Sequence, residues 1–433
     1  PHGTSPGIWR RAEKALNGDE DYSAGDIAGM KREAFKASGY PWRLYTGPQA
    51  IERGIGESVD RARAKRAFVI CSPSVHNKTT IIRRIEEELG DRFAGVFHGI
   101  EKDSTYRSVV AAKEASEEAG ADLLIGVGGG SVLVATRVVA VYMGEDADPF
   151  EIMTQYPEGK AAYSPRLMAP KPPIFNIPTT PTSAMNRGGS GLKNPDLDHR
   201  MEYFDPKTRP QSIFIDDDAL LSAPKDLIRS TATTVFASLI GAMSQTDLNA
   251  LAHGDQKIAY GLAYPAYMRL MDELDNPQLR VDLAMAAFLQ NRAEDDGRRR
   301  FTTNAFAGNY AVSTALHLRY PKVGQGESTS VVHASSMRLA ETPDLEPAQK
   351  VALALEVWQE GMDASAAVAA SADKLEEVYT RVGVPTALSQ LDIPRNDLIN
   401  IAKETIKNFN ANAGTRSPEE QVASAIKLLE KAW

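Results

Sequence analysis

The chain of 433 residues has one cysteine, no long apolar run and no excess of basic residues. A single cysteine, Cys71, excludes a disulfide bond within the chain and a zinc site built from cysteines. No run approaches the roughly 18 apolar residues of a membrane-spanning helix. The first residues, PHGTSPGIWRRAEK, carry charge where a secretion signal would be apolar. These features predict a cytoplasmic protein that does not interact with membranes.

The charge balance argues against nucleic acid and anionic membranes as partners. The chain has 49 Lys and Arg residues against 57 Asp and Glu residues, spread along its length, for a net charge of −8. A broad basic face for nucleic acid or anionic lipid is therefore absent from the pattern. The composition favours a small-molecule ligand, and a homo-oligomer is compatible with it.

Between residues 40 and 215, short apolar runs alternate with helical stretches. The runs RAFVICSPS, FAGVFHGI, ADLLIGV, PIFNIPTT and SIFIDDDALL predict strands, and NKTTIIRRIEEELG and TYRSVVAAKEASEEAG predict helices between the first three of them. Parallel strands require long crossover connections, which helices of this length provide. The pattern predicts an α/β domain with a doubly wound parallel sheet.

After about residue 220 the strand signals fade and Ala- and Leu-rich helical stretches follow, among them AYPAYMRLMDEL, PAQKVALALEVWQEGM and PEEQVASAIKLLEKAW. We therefore predict two domains, an α/β domain over residues 1–215 and an all-α domain over 216–433. The segment PTTPTSAMNRGGSGLKNPDLDHR, near their junction, is rich in Pro and Gly and predicts a loop. A cleft between two domains is a common place for a ligand.

The stretch GVGGGSVLVATR, residues 126–137, joins a predicted strand to a predicted helix. Consecutive glycines there leave backbone N–H groups bare beside a helix N-terminus, which suits a phosphate. The stretch matches neither the spaced-glycine dinucleotide fingerprint nor the lysine-containing phosphate loop. On these residues alone, a phosphate site and a tight structural turn both remain open.

Several motifs in order resemble the iron-containing (group III) alcohol dehydrogenases, within the dehydroquinate synthase-like group that includes maleylacetate reductases. GADLLIGVGGGS is similar to the family segment GADxxxxxGGGS, and NIPTTPTSAMN stands where the family has xIPTTAGTGSE. The run DPKTRPQSIFIDDDALLSAPKDL follows the family pattern to D-x-x-L…LP. The resemblance implies the dehydroquinate synthase-like fold over nearly the whole chain.

The resemblance also implies a nicotinamide dinucleotide, NAD or NADP. The residues that it places at the cofactor are Gly128, Gly129, Gly130 and Ser131 at the pyrophosphate, Thr179 and Thr180 close by, and Ser72. We add Arg200 as a cation expected near the cofactor phosphates. Ser72 stands where the family has an Asp that would repel a 2′-phosphate, so we expect NADP to be accepted. The chain has Val134 and Arg137 where the family usually has an Asp and a Lys.

The family's metal site is where the chain departs most. The family binds a divalent metal through an Asp and a His four residues apart on a helix and through two more histidines. This chain has Val235 and Leu239 at the first two positions and Ser313 at the third, and only His333 corresponds to a ligand. Hydrocarbon side chains cannot bind a metal, so no metal residues are predicted.

These patterns predict an NAD(P)-dependent oxidoreductase that acts on a small alcohol or aldehyde. Without the metal another electrophile is required, and His317 or His333 is expected to donate a proton to the alkoxide, assisted by Arg200. His317 matches a family histidine near the substrate. Two alternatives remain: a metal-independent enzyme of another class, such as a lyase or double-bond reductase, and a non-catalytic nucleotide-binding protein.

Overall fold

The computed structural model describes residues 34–157, 160–297, 305–340, 343–408 and 417–433. The first half of the chain forms an α/β domain with a six-stranded sheet and a two-stranded antiparallel pair. Its strands are β1 (Arg43–Gly47), β2 (Ala67–Cys71), β3 (Phe93–Phe97), β4 (Leu123–Gly128), β5 (Ile174–Pro178), β6 (Gly189–Leu192), β7 (Met201–Phe204) and β8 (Ser212–Asp216).

Six strands pair in parallel in the order β1-β8-β5-β4-β2-β3, and β6 pairs with β7. The helices between them are α1 (Ala50–Ala62), α2 (Pro73–Lys78), α3 (Ile81–Leu89), α4 (Tyr106–Glu118), α5 (Gly130–Gly144) and α6 (Pro149–Ile152). One apolar core joins α1 and α3 to one face of the sheet, and another joins α4 and α5 to the opposite face. The sheet is therefore doubly wound, as predicted.

The chain leaves neighbouring strands β2 and β4 in opposite directions. After β2 it passes to β3 at the sheet edge, and after β4 it passes to β5 on the other side. Cys71 at the end of β2 pairs with Val127 near the end of β4, so the two exits lie side by side. In open α/β sheets, ligands bind in the crevice outside the carboxyl ends of strands at such a switch point.

The second half is helical in its described residues. Its helices are α7 (Asp217–Leu221), α8 (Lys225–Met243), α9 (Ala250–Arg269), α10 (Pro277–Asp295), α11 (Tyr310–Arg319), α12 (Gln325–Arg338), α13 (Leu345–Ala354), α14 (Ala364–Val382), α15 (Leu398–Glu404) and α16 (Pro418–Ala432). A large apolar core packs α8, α9 and α10 together and against β8 and Leu133 of α5. None of the described helices has the length and apolar character needed to cross a membrane.

The predicted strands and helices of the α/β domain are confirmed, with two additions. β1 lies outside the runs predicted as strands, and it pairs in parallel with β8 at the sheet edge. The segment from residue 178 to 200, predicted to be a loop, contains β6, whose Gly189 pairs with Phe204 of β7. The glycines of this segment do not predict a strand, because Gly is depleted in strands and weakens them. The boundary between residues 215 and 216 stays a prediction, and β8 ends at Asp216.

Candidate active site

The glycine-rich turn connects β4 directly to α5 at the switch point. Gly129 caps α5, and the first N–H groups of a helix have no acceptor within it. A Cβ atom on Gly128 would lie 2.6 Å from Cγ2 of Val132, so only glycine fits there. A Cβ atom on Gly129 would lie 3.3 Å from Oγ1 of Thr180. The turn thus leaves room over the helix N-terminus that any side chain would fill.

The loop after β5 forms the other side of this space. The N–H group of Thr179 donates to the carbonyl of Gly128 over 3.0 Å, which ties the two strand ends together. Thr180 is fully buried, and its hydroxyl oxygen has no hydrogen-bond partner in the described structure. A buried hydroxyl without a partner costs free energy. Its position opposite Gly129 fits a phosphate held between the helix N-terminus and the loop.

Ser131 connects this turn to the loop that follows β3. Its hydroxyl oxygen accepts a hydrogen bond from the N–H group of Asp103 over 3.1 Å, and its carbonyl accepts one from the Ser104 hydroxyl over 2.6 Å. The side chain is therefore engaged with the protein. What Ser131 offers a ligand is its backbone N–H group in the first turn of α5.

Ser72 follows β2 immediately and caps α2. Its hydroxyl oxygen lies 3.5 Å from the N–H group of Val75 and 3.0 Å from the hydroxyl of Ser74. Because β2 and β4 are neighbours, Ser72 lies at the same sheet edge as the glycine turn. The segment from residue 71 to 78, CSPSVHNK, contains no carboxylate.

Arg137 supports the loop that carries Thr179 and Thr180. It is fully buried, and its guanidinium donates to the hydroxyl of Ser190 over 2.9 Å and to the carbonyls of Ala184 and Gly189. Burial lowers its pKa to about 9. The departure from the family at this position is therefore structural: a buried cation fixes the backbone from 184 to 190.

Arg200 and His317 meet where the α/β domain faces α11. Nη2 of Arg200 donates to Nε2 of His317 over 2.8 Å, and Nδ1 of His317 donates to the carbonyl of Ser313 over 3.1 Å. An arginine can only donate and a carbonyl can only accept, so the proton of His317 is on Nδ1. Burial, then the charge of Arg200, lower the pKa of His317 to about 3. His317 is neutral and has no proton to give from Nε2, so this geometry does not support the predicted role of proton donor.

His333 lies in the core of the helical half. It is fully buried, its Nε2 donates to the carbonyl of Phe306 over 2.6 Å, and its Nδ1 accepts from the hydroxyl of Tyr379 over 2.7 Å. Burial lowers its pKa to about 4. Both ring nitrogens are used by the protein, so the structure does not support a catalytic role for His333 either.

The residues at the family's metal positions do not form a ligand set. Val235 and Leu239 lie on α8 with their side chains buried in the apolar core, and Ser313 is buried on α11. The fourth residue, His333, has both nitrogens engaged. In the described part of the chain no group of three or more His, Cys, Asp or Glu side chains is placed to hold a metal ion. The donors present do not fit a divalent iron or zinc.

Three residues near His317 were not identified from the sequence. Lys102 and Lys193 come from the α/β domain, and their ammonium groups donate to the carbonyls of Pro321 and Leu318 at the end of α11. Thr314 lies one turn before His317 and is buried. Lone lysines and threonines in loops and helices carry no pattern, and only the fold brings these three together.

Comparison with known proteins agrees with this architecture. Residues 41–217 match the model of the iron-containing alcohol dehydrogenase family. The match includes β1 to β8 and therefore the whole parallel sheet. Over this stretch the chain is similar to the iron-containing alcohol dehydrogenase domain.

Two relatives are named as oxidoreductases. Maleylacetate reductase 2 of Cupriavidus pinatubonensis (strain JMP 134 / LMG 1197) is 26% identical over 215 residues, 50% of this chain and 51% of that protein. A probable NADH-dependent butanol dehydrogenase 1 of Bacillus subtilis (strain 168) is 21% identical over 406 residues, 89% of this chain and 97% of that protein. The chain thus spans about half the length of the first relative and nearly all of the second.

A solved structure extends the likeness of the fold to both halves of the chain. A mutant of an archaeal halo-thermophilic alcohol dehydrogenase from a Red Sea brine pool superposes with a TM-score of 0.80. The superposition covers 93% of this chain and 100% of that chain at 16% identity. At this identity the likeness establishes the fold.

Proposed function

We propose that the protein is an NAD(P)-dependent oxidoreductase that interconverts a small carbonyl compound and its alcohol without the family's metal ion. The observation that carries the proposal is that Gly129 and the hydroxyl of Thr180 face each other. An open helix N-terminus faces a buried hydroxyl that has no partner in the described structure, at the switch point of a parallel sheet. This combination suits a dinucleotide pyrophosphate.

The residues that would hold the cofactor lie along one sheet edge. The backbone of Gly128, Gly129, Gly130 and Ser131 and the hydroxyl of Thr180 would bind the pyrophosphate, with Thr179 beside them. Ser72 would face the adenine ribose, and its lack of charge supports the use of NADP as well as NAD. When bound, the nicotinamide supplies or accepts a hydride.

Arg200 is the cation that we assign to the carbonyl oxygen. Negative charge grows on that oxygen during reduction, and a fixed donor in a buried site stabilises it. Nη2 of Arg200 is held by His317, while its buried Nε has no partner in the described structure. We assign His317 as a positioning residue, because it accepts from Arg200 and keeps its own proton on Nδ1.

The residues at the family's metal positions support the assignment of Arg200, and not a metal ion, to the carbonyl oxygen. Val235 and Leu239 offer hydrocarbon, so no step is derived through a metal. A cytoplasmic location is part of the proposal, because the one cysteine, Cys71, is buried and unpaired.

Cofactor binding tests the proposal most directly. We expect calorimetry to detect binding of NADH or NADPH to the wild-type protein and much weaker binding to Thr180→Val. The same variant should be at least as stable as wild type, because it removes a buried hydroxyl without a partner. A merely structural threonine would give a less stable protein with unchanged affinity. If the wild-type protein binds neither NADH nor NADPH, the proposal is wrong. Binding without reduction of any carbonyl compound would favour a nucleotide-binding protein.

A further inference from the structure

A cavity of about 280 Å³ lies between the segment that joins β6 to β7 and helices α11 and α15. Lys193 and Arg200 line it from the α/β domain, and Thr314 and Leu318 line it from α11. Arg200 connects this cavity to His317 through the hydrogen bond described above. The cavity is therefore next to the cation that we assign to the substrate oxygen.

Three cations near His317 have no carboxylate partner in the described structure. The pKa of His317 is lowered by the positive charges of Arg200, Lys102 and Lys193. In the described ranges no carboxylate forms an ion pair with any of these three cations. Among the described residues the ammonium of Lys193 has one hydrogen-bond acceptor, the carbonyl of Leu318 at 3.4 Å, which leaves two of its protons for a ligand.

The carboxylates that line the same cavity are already engaged. Asp198 pairs with Lys407 over 2.8 Å, and Glu404 pairs with Arg319 over 2.6 Å. The third, Glu202, accepts a hydrogen bond from the hydroxyl of Tyr156. None of these printed contacts involves Lys193 or Arg200, so in the described structure the two cations have no carboxylate partner in the cavity wall.

Thr314 supplies an independent sign of a ligand. It is 4% exposed, it lines the cavity, and its hydroxyl oxygen has no hydrogen-bond partner in the described structure. Buried hydroxyls are nearly always partnered. A hydroxyl without a partner and an ammonium with protons to spare are donors that a carboxylate can accept from.

We infer that this cavity binds a carboxylate of the substrate, so that the enzyme acts on oxo acids and hydroxy acids rather than on plain aldehydes and alcohols. Lys193 and Thr314 bind the carboxylate, and Arg200 stays free for the carbonyl oxygen. The inference rests on the proposed function and names its substrate class. A cofactor phosphate is the other anion that could use these donors, but the N-terminus of α5 and Thr180 already provide a separate place for it.

Matched substrates test the inference. Oxo acids of two to six carbons are each compared with their methyl esters as substrates of the full chain with NADH or NADPH. For at least one length we expect kcat/KM for the acid to exceed that for the ester at least tenfold. Lys193→Met should remove most of that preference through KM, and Thr314→Val should reduce it severalfold. The matched control is Lys407→Met, since Lys407 lines the cavity but is paired with Asp198.

A second measurement separates this inference from the proposed function. Succinate, which cannot be reduced at a carbonyl, should bind by calorimetry to the cofactor-loaded wild-type enzyme and at least tenfold more weakly to Lys193→Met. NADH and NADPH affinities should be the same in both proteins. Equal kcat/KM for acids and esters, or no succinate binding, overturns the inference while cofactor binding stands. A loss of cofactor affinity in Lys193→Met would assign the cations to the cofactor phosphate instead.

Discussion

The guanidinium of Arg200 donates to the imidazole of His317 over 2.8 Å, and the direction of this hydrogen bond fixes the state of both groups. The imidazole must be neutral to accept, and burial beside a cation keeps it so. In this arrangement His317 accepts a hydrogen bond from Arg200, which agrees with the positioning role that we propose for it.

This relationship predicts how His317 variants behave. His317→Leu removes the acceptor, so Arg200 should lose its fixed position and kcat should fall about tenfold or more, by roughly 1.4 kcal/mol of transition-state stabilisation. His317→Gln can accept through its side-chain oxygen and should recover most of the rate. Affinity for NADH or NADPH should not change in either variant. If His317 were instead the proton donor, both variants would lose the same share of the rate. The rate of the wild-type enzyme would then follow the titration of His317.

The two buried histidines predict a fall in stability in mild acid. Their pKa values in the folded protein, about 3 for His317 and about 4 for His333, lie below the usual 6.5. The unfolded chain therefore binds protons first, and the free energy of unfolding falls as the pH drops from about 7 towards 4. At pH 5 each histidine should cost about 2 kcal/mol relative to pH 7.5.

Urea unfolding of wild type and His333→Gln between pH 7.5 and 5 checks this expectation. The variant will be less stable at neutral pH, but its stability should depend less on pH by about 2 kcal/mol over this range. The exposed His98 provides the control variant His98→Gln. Equal pH dependence in wild type and His333→Gln would show that His333 is not held neutral by the fold.

Gly129→Val tests the space over the helix N-terminus. Its branched side chain would occupy the gap in which a Cβ atom already lies 3.3 Å from Oγ1 of Thr180. We expect affinity for both NADH and NADPH to fall at least tenfold, about 1.4 kcal/mol. Gly56→Val is the matched control, because a Cβ atom on Gly56 meets nothing within 4 Å. Unchanged affinity in calorimetry would place the cofactor elsewhere.

Ser72→Asp tests the expectation that NADP is accepted. A carboxylate at the end of β2 would repel a 2′-phosphate and could bind the ribose hydroxyls of NAD. The ratio of the NADPH Kd to the NADH Kd should rise at least tenfold in the variant. Asn77→Asp, which adds the same charge at an exposed position of α2, should leave the ratio nearly unchanged. A wild-type preference for NADH of a hundredfold, about 2.7 kcal/mol, would contradict the expectation.

The sequence predicted the parallel sheet, whereas the roles of the site residues stay predictions, and the difference has a physical reason. Strands such as β2 and β4 are fully buried and apolar, and the helices that separate them repeat at the α-helical period, so local pattern is enough. The turn at Gly128 is likewise local, since strand, glycines and helix follow one another.

The state of a histidine depends on groups far away in the chain. His317 receives its hydrogen bond from Arg200, 117 residues earlier, and His333 is enclosed by Phe306 and Tyr379. Lys102, Lys193 and Thr314 approach one another only because the α/β domain docks on α11. No spacing rule in the sequence identifies such contacts, so motif positions alone could not predict the hydrogen-bond partners of these histidines.

The last prediction concerns metal. Val235 and Leu239 are 3% and 0% exposed and pack in the apolar core, so an ion at the family position would lack two of its ligands and lie against hydrocarbon. His333 cannot bind the ion without breaking its hydrogen bonds to Phe306 and Tyr379. We therefore expect dialysis against a chelator to leave the melting temperature and the reductase activity unchanged, and elemental analysis to find iron and zinc well below one ion per chain. Activity that disappears on chelation and returns with one transition metal would contradict this. In that case loss of the bound metal in His333→Gln, but not in His98→Gln, would locate the ion at His333 and indicate the metal-dependent chemistry of the iron-containing alcohol dehydrogenases.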